Sequence, residues 1–321
     1  CERQSLPVTF GNGERQPDTS DFTVIDVSKH NIIANDGLDD SQALIKLLEK
    51  IGKDSKPSIL QFDSGRYIIS SIIDKHSKIV YGSNPSKNIT TVKFDKIQKE
   101  KANNIHLPFT QWAWSGGYFW TRKAGERVKK YLDEYDQPID SLAKGVSGKQ
   151  GDHWITVSNS KSIKKGQMIE VQWYNDQGEN GPLIQELYHG KVNNVGSHHW
   201  SFDNLALSRQ QVEVTDIKDD KICIKAPLLH SIKANWKVNI APWEHLQQVG
   251  FEHFHMNFAY AERIAHHVEQ GFNGIYLTRV YNSWIDDVKI SNADSGVLME
   301  EVANLSLSNV TTDGSKYAHY S

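Results

Sequence analysis

No stretch of this chain approaches 18 consecutive apolar residues, so no helix of it is expected to span a bilayer. CxxC, HExxH, GxxxxGK[ST] and GxSxG patterns are all missing, which removes support from zinc-protease, nucleotide-binding and serine-hydrolase readings. A large charge of either sign is missing too. Lys and Arg number 36 against 39 Asp and Glu, for a net charge of -3, and no basic run is interleaved with aromatics. A nucleic-acid partner is therefore not expected. Methionine occurs only three times, whereas Trp occurs nine times and Tyr 12 times. Flat rings with one polar edge pack cores and also offer platforms to ligands. At 321 residues and 38% hydrophobic, the chain can bury a large core, as one solenoid or as two ordinary domains.

Cysteine is nearly absent as well, with Cys1 and Cys223 the only two. Cys223 alternates with apolar residues in KICIKAPLL and reads as a buried strand residue. Cys1 opens a polar stretch, ERQSLPVTFGNGERQPDTSD, and resembles the lipid-bearing first residue of a mature bacterial lipoprotein. That resemblance implies a tether over residues 1–20, an extracytoplasmic location at the cell surface or in the periplasm, and membrane attachment only through a lipid on Cys1.

What is present in quantity is a repeat. Shifted by 22, the run beginning at Val280 falls on itself: Val280 on Val302, Asn282 on Asn304, Ile285 on Leu307, Asp287 on Asn309 and Val288 on Val310. Short strands of β-branched and polar residues broken by Asn, Asp and Gly at this period are what one coil of a β-solenoid requires. VGFEHFHMNF, from Val249, fits the same frame with a shift of 34, setting His253 under Asp287 and Met256 under Ile290. The excess of 12 predicts a loop leaving the coil at roughly Ala259 to Phe272.

Toward the N-terminus, TVIDV predicts a strand, NDGLDD a turn and SQALIKLLEKIG an amphipathic helix, with Ala43, Leu44, Leu47, Leu48 and Ile51 at helical spacing. Asn35-Asp36-Gly37-Leu38-Asp39-Asp40, then Phe62-Asp63-Ser64-Gly65-Arg66-Tyr67, then Val80-Tyr81-Gly82 through Thr91-Val92-Lys93-Phe94 follow in order. This series resembles the N-terminal cap of the pectate-lyase-like superfamily, although FDSG stands where that family usually has FPPG. The resemblance implies an all-β fold, a right-handed parallel β-helix with an N-terminal capping helix and a β-rich insertion. Asp36, Asp39 and Asp40 then read as structural residues of the cap. The expected organisation is one β-helix domain over 21–321, with residues 95–248 as a β-rich elaboration, and a chain that continues past Ser321.

Within 95–248, alternating Ile155, Val157, Ile163, Met168, Ile169 and Val171 predict β-structure around a Lys-Lys-Gly turn. VEVTDI and KICIKA form a hairpin joined through Lys218-Asp219-Asp220. Trp112, Trp114, Tyr118 and Trp120 surround Gly116-Gly117 and serve equally as sugar-stacking platforms or as core.

Candidate chemistry gathers in the loop, where Tyr260, Glu262, Arg263, His266, His267 and Glu269 lie within ten positions. Histidine offers proton transfer near neutral pH, Arg neutralises a carboxylate, and Glu orients or charges His. On the coils, Glu252, Asp286 and Ser308 form one column, His253, Asp287 and Asn309 a second, and His255, Lys289 and Thr311 a third. The Asn282/Asn304 and Asp287/Asn309 stacks read chiefly as corner residues satisfying polar groups.

By fold-level analogy, these features point to an extracytoplasmic protein that cleaves a polysaccharide. The leading form is a lyase acting on a uronate-containing glycan, with His266 or His267 as base and Arg263 or Lys289 as charge neutraliser, supported by Glu269. Trp112, Trp114, Tyr118, Trp120, Tyr260 and Asp287 would hold the substrate. A glycosidase using Asp286, Asp287, Asp294 and Glu269 is the alternative, and a non-catalytic glycan-binding adhesin is the third form. No motif specifies a metal, and calcium, the one cofactor weighed, has no ligand pattern in the sequence.

Overall fold

The computed structural model describes residues 20–51, 57–69, 117–121, 141–194, 205–258 and 272–314. The fold is all-β apart from short helical pieces, and the chain divides into two compact units.

One unit begins with the cap. Strand β1 (Thr23–Asp26) leads through a 3-10 turn to helix α1 (Ser41–Ile51), and β2 (Ser58–Gln61) returns parallel to β1 with Thr23 opposite Ser58. Of the predicted apolar stripe, Leu44, Leu47, Leu48 and Ile51 pack with Val27, Ile32 and Ile69 into one small core, and Ala43, partly buried, packs against it. The acidic turn is committed to backbone groups. Asp40, 2% exposed, accepts from Ile33 N–H at 3.3 Å and Ile68 N–H at 3.2 Å, while Asp39 accepts from Ser41 N–H at 2.9 Å. Asn35 sits in the left-handed region at φ 64°, and its Oδ1 accepts Arg66 N–H at 3.0 Å, which ties NDGLDD to FDSGRY. The Tyr67 ring packs edge-on to Phe62, and its hydroxyl donates to Asp63 O at 3.0 Å.

The rest of this unit is two parallel sheets. In the first, β10 (Leu246–Gln247) and β11 (Gly250–Asn257) pair with β13 (Val280–Ser291), which pairs with β15 (Ala303–Ser308) and β16 (Thr311–Asp313). Phe251 lies opposite Ile285 and Ile285 opposite Leu307, so the shifts of 34 and 22 are realised as pairing register. In the second sheet, β12 (Asn273–Thr278) lies between β3 (Phe119–Trp120) and β14 (Ser295–Glu300), all parallel, and Asn273 faces Ser295 at a shift of 22. The change of shift from 34 to 22 therefore falls between Asn257 and Asn273; residues 259–271, where the loop was predicted, lie outside the described residues.

Residues that leave a flat strand sit in columns. His253 and Asp287 have φ of 58° and 52°, and Asn309 has 51°; Gln248, Asn282 and Asn304 form a second such column at 56°, 49° and 51°. Asn, Asp and His tolerate the left-handed region better than other residues with a Cβ. Asn304 Nδ2 donates to Asn282 Oδ1 at 3.0 Å, so the polar stack joins successive rungs. Between the corners, alternation places Ile285, Val288 and Ile290 in a core with Phe251, Met256 and Ile275.

The other unit holds a closed six-stranded antiparallel barrel, order β4-β5-β8-β7-β6-β9. Its strands are β4 (Ala143–Ser147), β5 (Trp154–Val157), β6 (Met168–Tyr174), β7 (Ala206–Lys218), β8 (Lys221–Ile224) and β9 (Lys237–Pro242), with helix α2 (Pro182–Leu187) between β6 and β7. The expected hairpin is β7–β8, turning at Asp219 with φ 52°. Ile155, Val157, Ile163, Ile169 and Val171 share one core with Trp173 and Leu183, and Cys223 is buried on β8. The region read as an elaboration thus carries a barrel with a core of its own.

Replacing Asp40 by Ala leaves two part-buried backbone N–H groups at the cap without their acceptor. The expected cost is about 2 kcal/mol, read as a lower midpoint of cap unfolding in urea followed by hydrogen exchange of α1. Unchanged protection of α1 would contradict the structural role given to this carboxylate.

Candidate functional site

The corner residues turn the chain so that two adjoining outer faces of the first sheet carry polar side chains in register. On one face lie Gly250, Glu252, Trp284, Asp286, Ser306 and Ser308. An alanine Cβ at position 250 would fall 2.2 Å from the Trp284 ring, so glycine there lets the indole lie across the neighbouring rung. From that position Trp284 Nε1 donates to Glu252 Oε1 at 2.6 Å, fixing a carboxylate that stands beside Asp286.

Beyond the second corner the face is a grid: His255, Lys289 and Thr311 in one row, Asn257, Ser291 and Asp313 in the next. His255 Nε2 lies 2.8 Å from Ser291 Oγ, and Lys289 Nζ lies 2.7 Å from Asp313 Oδ2. Hydrogen bonds from Lys289 and then Ser291 hold Asp313 below the usual carboxylate range. The hydroxyl here stands between the imidazole and the acid. That order differs from a nucleophilic relay, in which the imidazole is central, so the grid is suited to binding through its donors and acceptors.

Between the two faces, His253 Nδ1 is 3.0 Å from Asp287 Oδ2, both exposed. The hydrogen bond to Asp287 raises the His253 pKa, opposed by desolvation and aided by the charges of Asp287, Glu252 and Asp286.

Of the residues singled out in the sequence, Asp287 and Lys289 lie on these exposed faces. Lys289 has its charge already met by Asp313 and is not an unoccupied neutraliser for a uronate. Tyr118 and Trp120, 0% and 3% exposed, present no open ring to a ligand. Tyr118 packs edge-on to Phe258, and Trp120 stacks on Tyr276 at 5.8 Å. Asp294 is buried and accepts Phe272 N–H at 2.8 Å, a structural use. Trp112, Trp114, Tyr260, Glu262, Arg263, His266, His267 and Glu269 lie outside the described residues. Among the described residues no three His, Cys, Asp or Glu side chains converge as metal ligands. Ser291, Asp313 and Trp284 were not singled out, although a step of two from Lys289 and then the shift of 22 lead to the first two.

No protein-family model and no curated protein matches the chain. Among solved structures it is similar to tailspike gp49 of Pseudomonas phage LKA1, at 12% identity and TM-score 0.32 over 55% of this chain and 31% of that one. It is also similar to the gp54 tailspike of Acinetobacter baumannii bacteriophage AP22, solved in complex with A. baumannii capsular saccharide, at 12% and 0.31 over 53% and 34%. Tailspike gp61 of Pseudomonas phage phi297 matches at 14% and 0.31 over 55% and 31%. The chain spans about a third of the length of these proteins, and at such scores the likeness carries no argument about activity.

The His253 ring should titrate above the ordinary histidine value, and Asp287→Asn should bring it down. Because the folded pKa is the higher one, the contribution of this contact to stability is full below the unfolded value and is lost as pH rises through the folded one. NMR titration of the ring protons measures the midpoint; a midpoint unmoved by Asp287→Asn would contradict the contact.

Proposed function

We propose that this chain is a carbohydrate-active protein built on a right-handed parallel β-helix, and that the outer polar faces of its first sheet bind an extended polysaccharide. One observation carries the reading: His255, Lys289 and Thr311, with Asn257, Ser291 and Asp313, stand in register on consecutive strands. Neighbouring strands are about 4.8 Å apart, so the grid offers donors and acceptors at the regular intervals at which an extended glycan presents hydroxyl and carboxyl groups. A flat, repeating ligand fits a flat, repeating surface better than a compact one does.

Within that reading, the finer proposal is a polysaccharide lyase acting on a uronate glycan. His266 or His267 would take the proton α to the carboxylate and Arg263 would neutralise it, a role that falls to the loop because Lys289 is engaged by Asp313. A glycosidase reading is favoured by Glu252 and Asp286, which project from paired positions on adjacent strands. Extracytoplasmic placement through a lipid on Cys1 belongs to the same proposal.

A panel of uronate-containing and neutral polysaccharides, followed by affinity electrophoresis, by absorbance of unsaturated products and by new reducing ends, separates these readings. Retardation by at least one glycan is expected, weakened at least tenfold by the double substitution His255→Ala, Lys289→Ala, which removes about 1.4 kcal/mol or more of binding. Absorbance lost in His267→Ala supports the lyase, and reducing ends without absorbance support the glycosidase. Retardation by no polysaccharide would sink the proposal.

A further inference from the structure

The barrel carries a side-chain pair of another kind. Ser208 lies on β7 opposite Trp173 and shares the inward alternation of Val212 and Val214. His230 lies in the segment joining β8 to β9, and its Nε2 is 3.0 Å from Ser208 Oγ, both residues partly exposed. Three bonds pin that segment in place. Gln210 Nε2 donates to Pro227 O at 2.8 Å, Leu229 N–H donates to Gln210 Oε1 at 2.8 Å, and Trp173 Nε1 donates to Ser231 O at 3.0 Å. The imidazole also meets the Trp173 ring at 5.3 Å and 89°. Burial holds the His230 pKa below the ordinary histidine value, which keeps the ring neutral at pH 7 and able to accept a proton. A hydroxyl beside a neutral, oriented imidazole is the arrangement that activates a serine, and it is recognised by geometry rather than by chain order. The missing GxSxG elbow does not bear on it.

We infer that Ser208 and His230, both partly exposed, form a nucleophile–base pair on the barrel unit, for hydrolysis of small esters such as O-acyl groups. Ser208 Oγ adds to the ester carbonyl carbon as its proton passes to His230 Nε2. The bond from carbon to the alkoxy oxygen then breaks, and the leaving alcohol takes the proton from His230. Water attacks the acyl-serine, gives its proton to His230, and the carboxylic acid departs as Oγ recovers that proton. Ester and water become alcohol and acid, with no other reactant. The site is independent of the polysaccharide-binding faces, so either can fail without the other.

The test is treatment of the whole chain with an alkyl fluorophosphonate, peptide mapping by mass spectrometry, and hydrolysis of 4-nitrophenyl acetate. The adduct is expected on Ser208. His230→Gln retains a hydrogen-bonding side chain but takes no proton, and should slow both labelling and hydrolysis at least about 100-fold. Ser208→Ala should abolish both, with the melting curve of each variant as the check on folding. A parent protein left unmodified at Ser208, a result that needs no variant, overturns the inference. Equal labelling in folded His230→Gln also overturns it.

Discussion

Everything in the strand stack depends on successive rungs bending at the same place. A strand residue in the left-handed region shifts the phase of every side chain after it, and a slip of one residue exchanges core and surface faces. His253, Asp287 and Asn309 take that conformation in one column, and Gln248, Asn282 and Asn304 in another. A left-handed conformation costs a residue with a Cβ roughly 1–2 kcal/mol. Contacts between rungs offset part of it, through Asn304 to Asn282 and His253 to Asp287. Because the corners coincide, Phe251, Ile285 and Leu307 share one column, and Glu252, Asp286 and Ser308 share the next. The polar faces are a consequence of the corners.

Chemically similar carboxylates do different work according to what surrounds them. Asp40 in the cap is buried, its pKa raised chiefly by loss of hydration, yet both oxygens accept backbone N–H groups. Its job is to close a turn that has no ladder partner for those donors. Asp313 is exposed, held below the usual range by Lys289, and remains in contact with water. The first is costly to remove and closed to a ligand; the second stands at the surface with a lysine as its partner.

These differences decide how much the sequence could disclose. The rung register was legible because corner residues and inward apolar residues recur at 22 and 34, and the cap because turn chemistry and helical spacing are local signals. The second sheet was not. Phe119 and Trp120 pair with Ile275 and Tyr276, more than 150 residues further on, and no local pattern announces such a partner. Tyr118 and Trp120 therefore stood evenly between platform and core until their strand was placed. The β7–β8 hairpin was legible for the same local reason, whereas barrel closure rests on β4 meeting β9, with Ala143 opposite Ile240. Ser208 and His230 lie 22 residues apart on β7 and in the β8–β9 segment, so neither carries a local signal in the sequence.

The face beside the corner shows how a backbone requirement becomes a chemical one. Gly250 is the rung residue under the Trp284 indole, and the space a Cβ would take is filled by the ring. A side chain at 250 would lift the indole, and with it the N–H that fixes Glu252. Glu252 would then turn freely beside Asp286, its partner on the neighbouring strand. The glycine thus sets the orientation of a surface carboxylate through a tryptophan. One backbone position without a Cβ therefore decides both where the indole lies and which way the neighbouring carboxylate points.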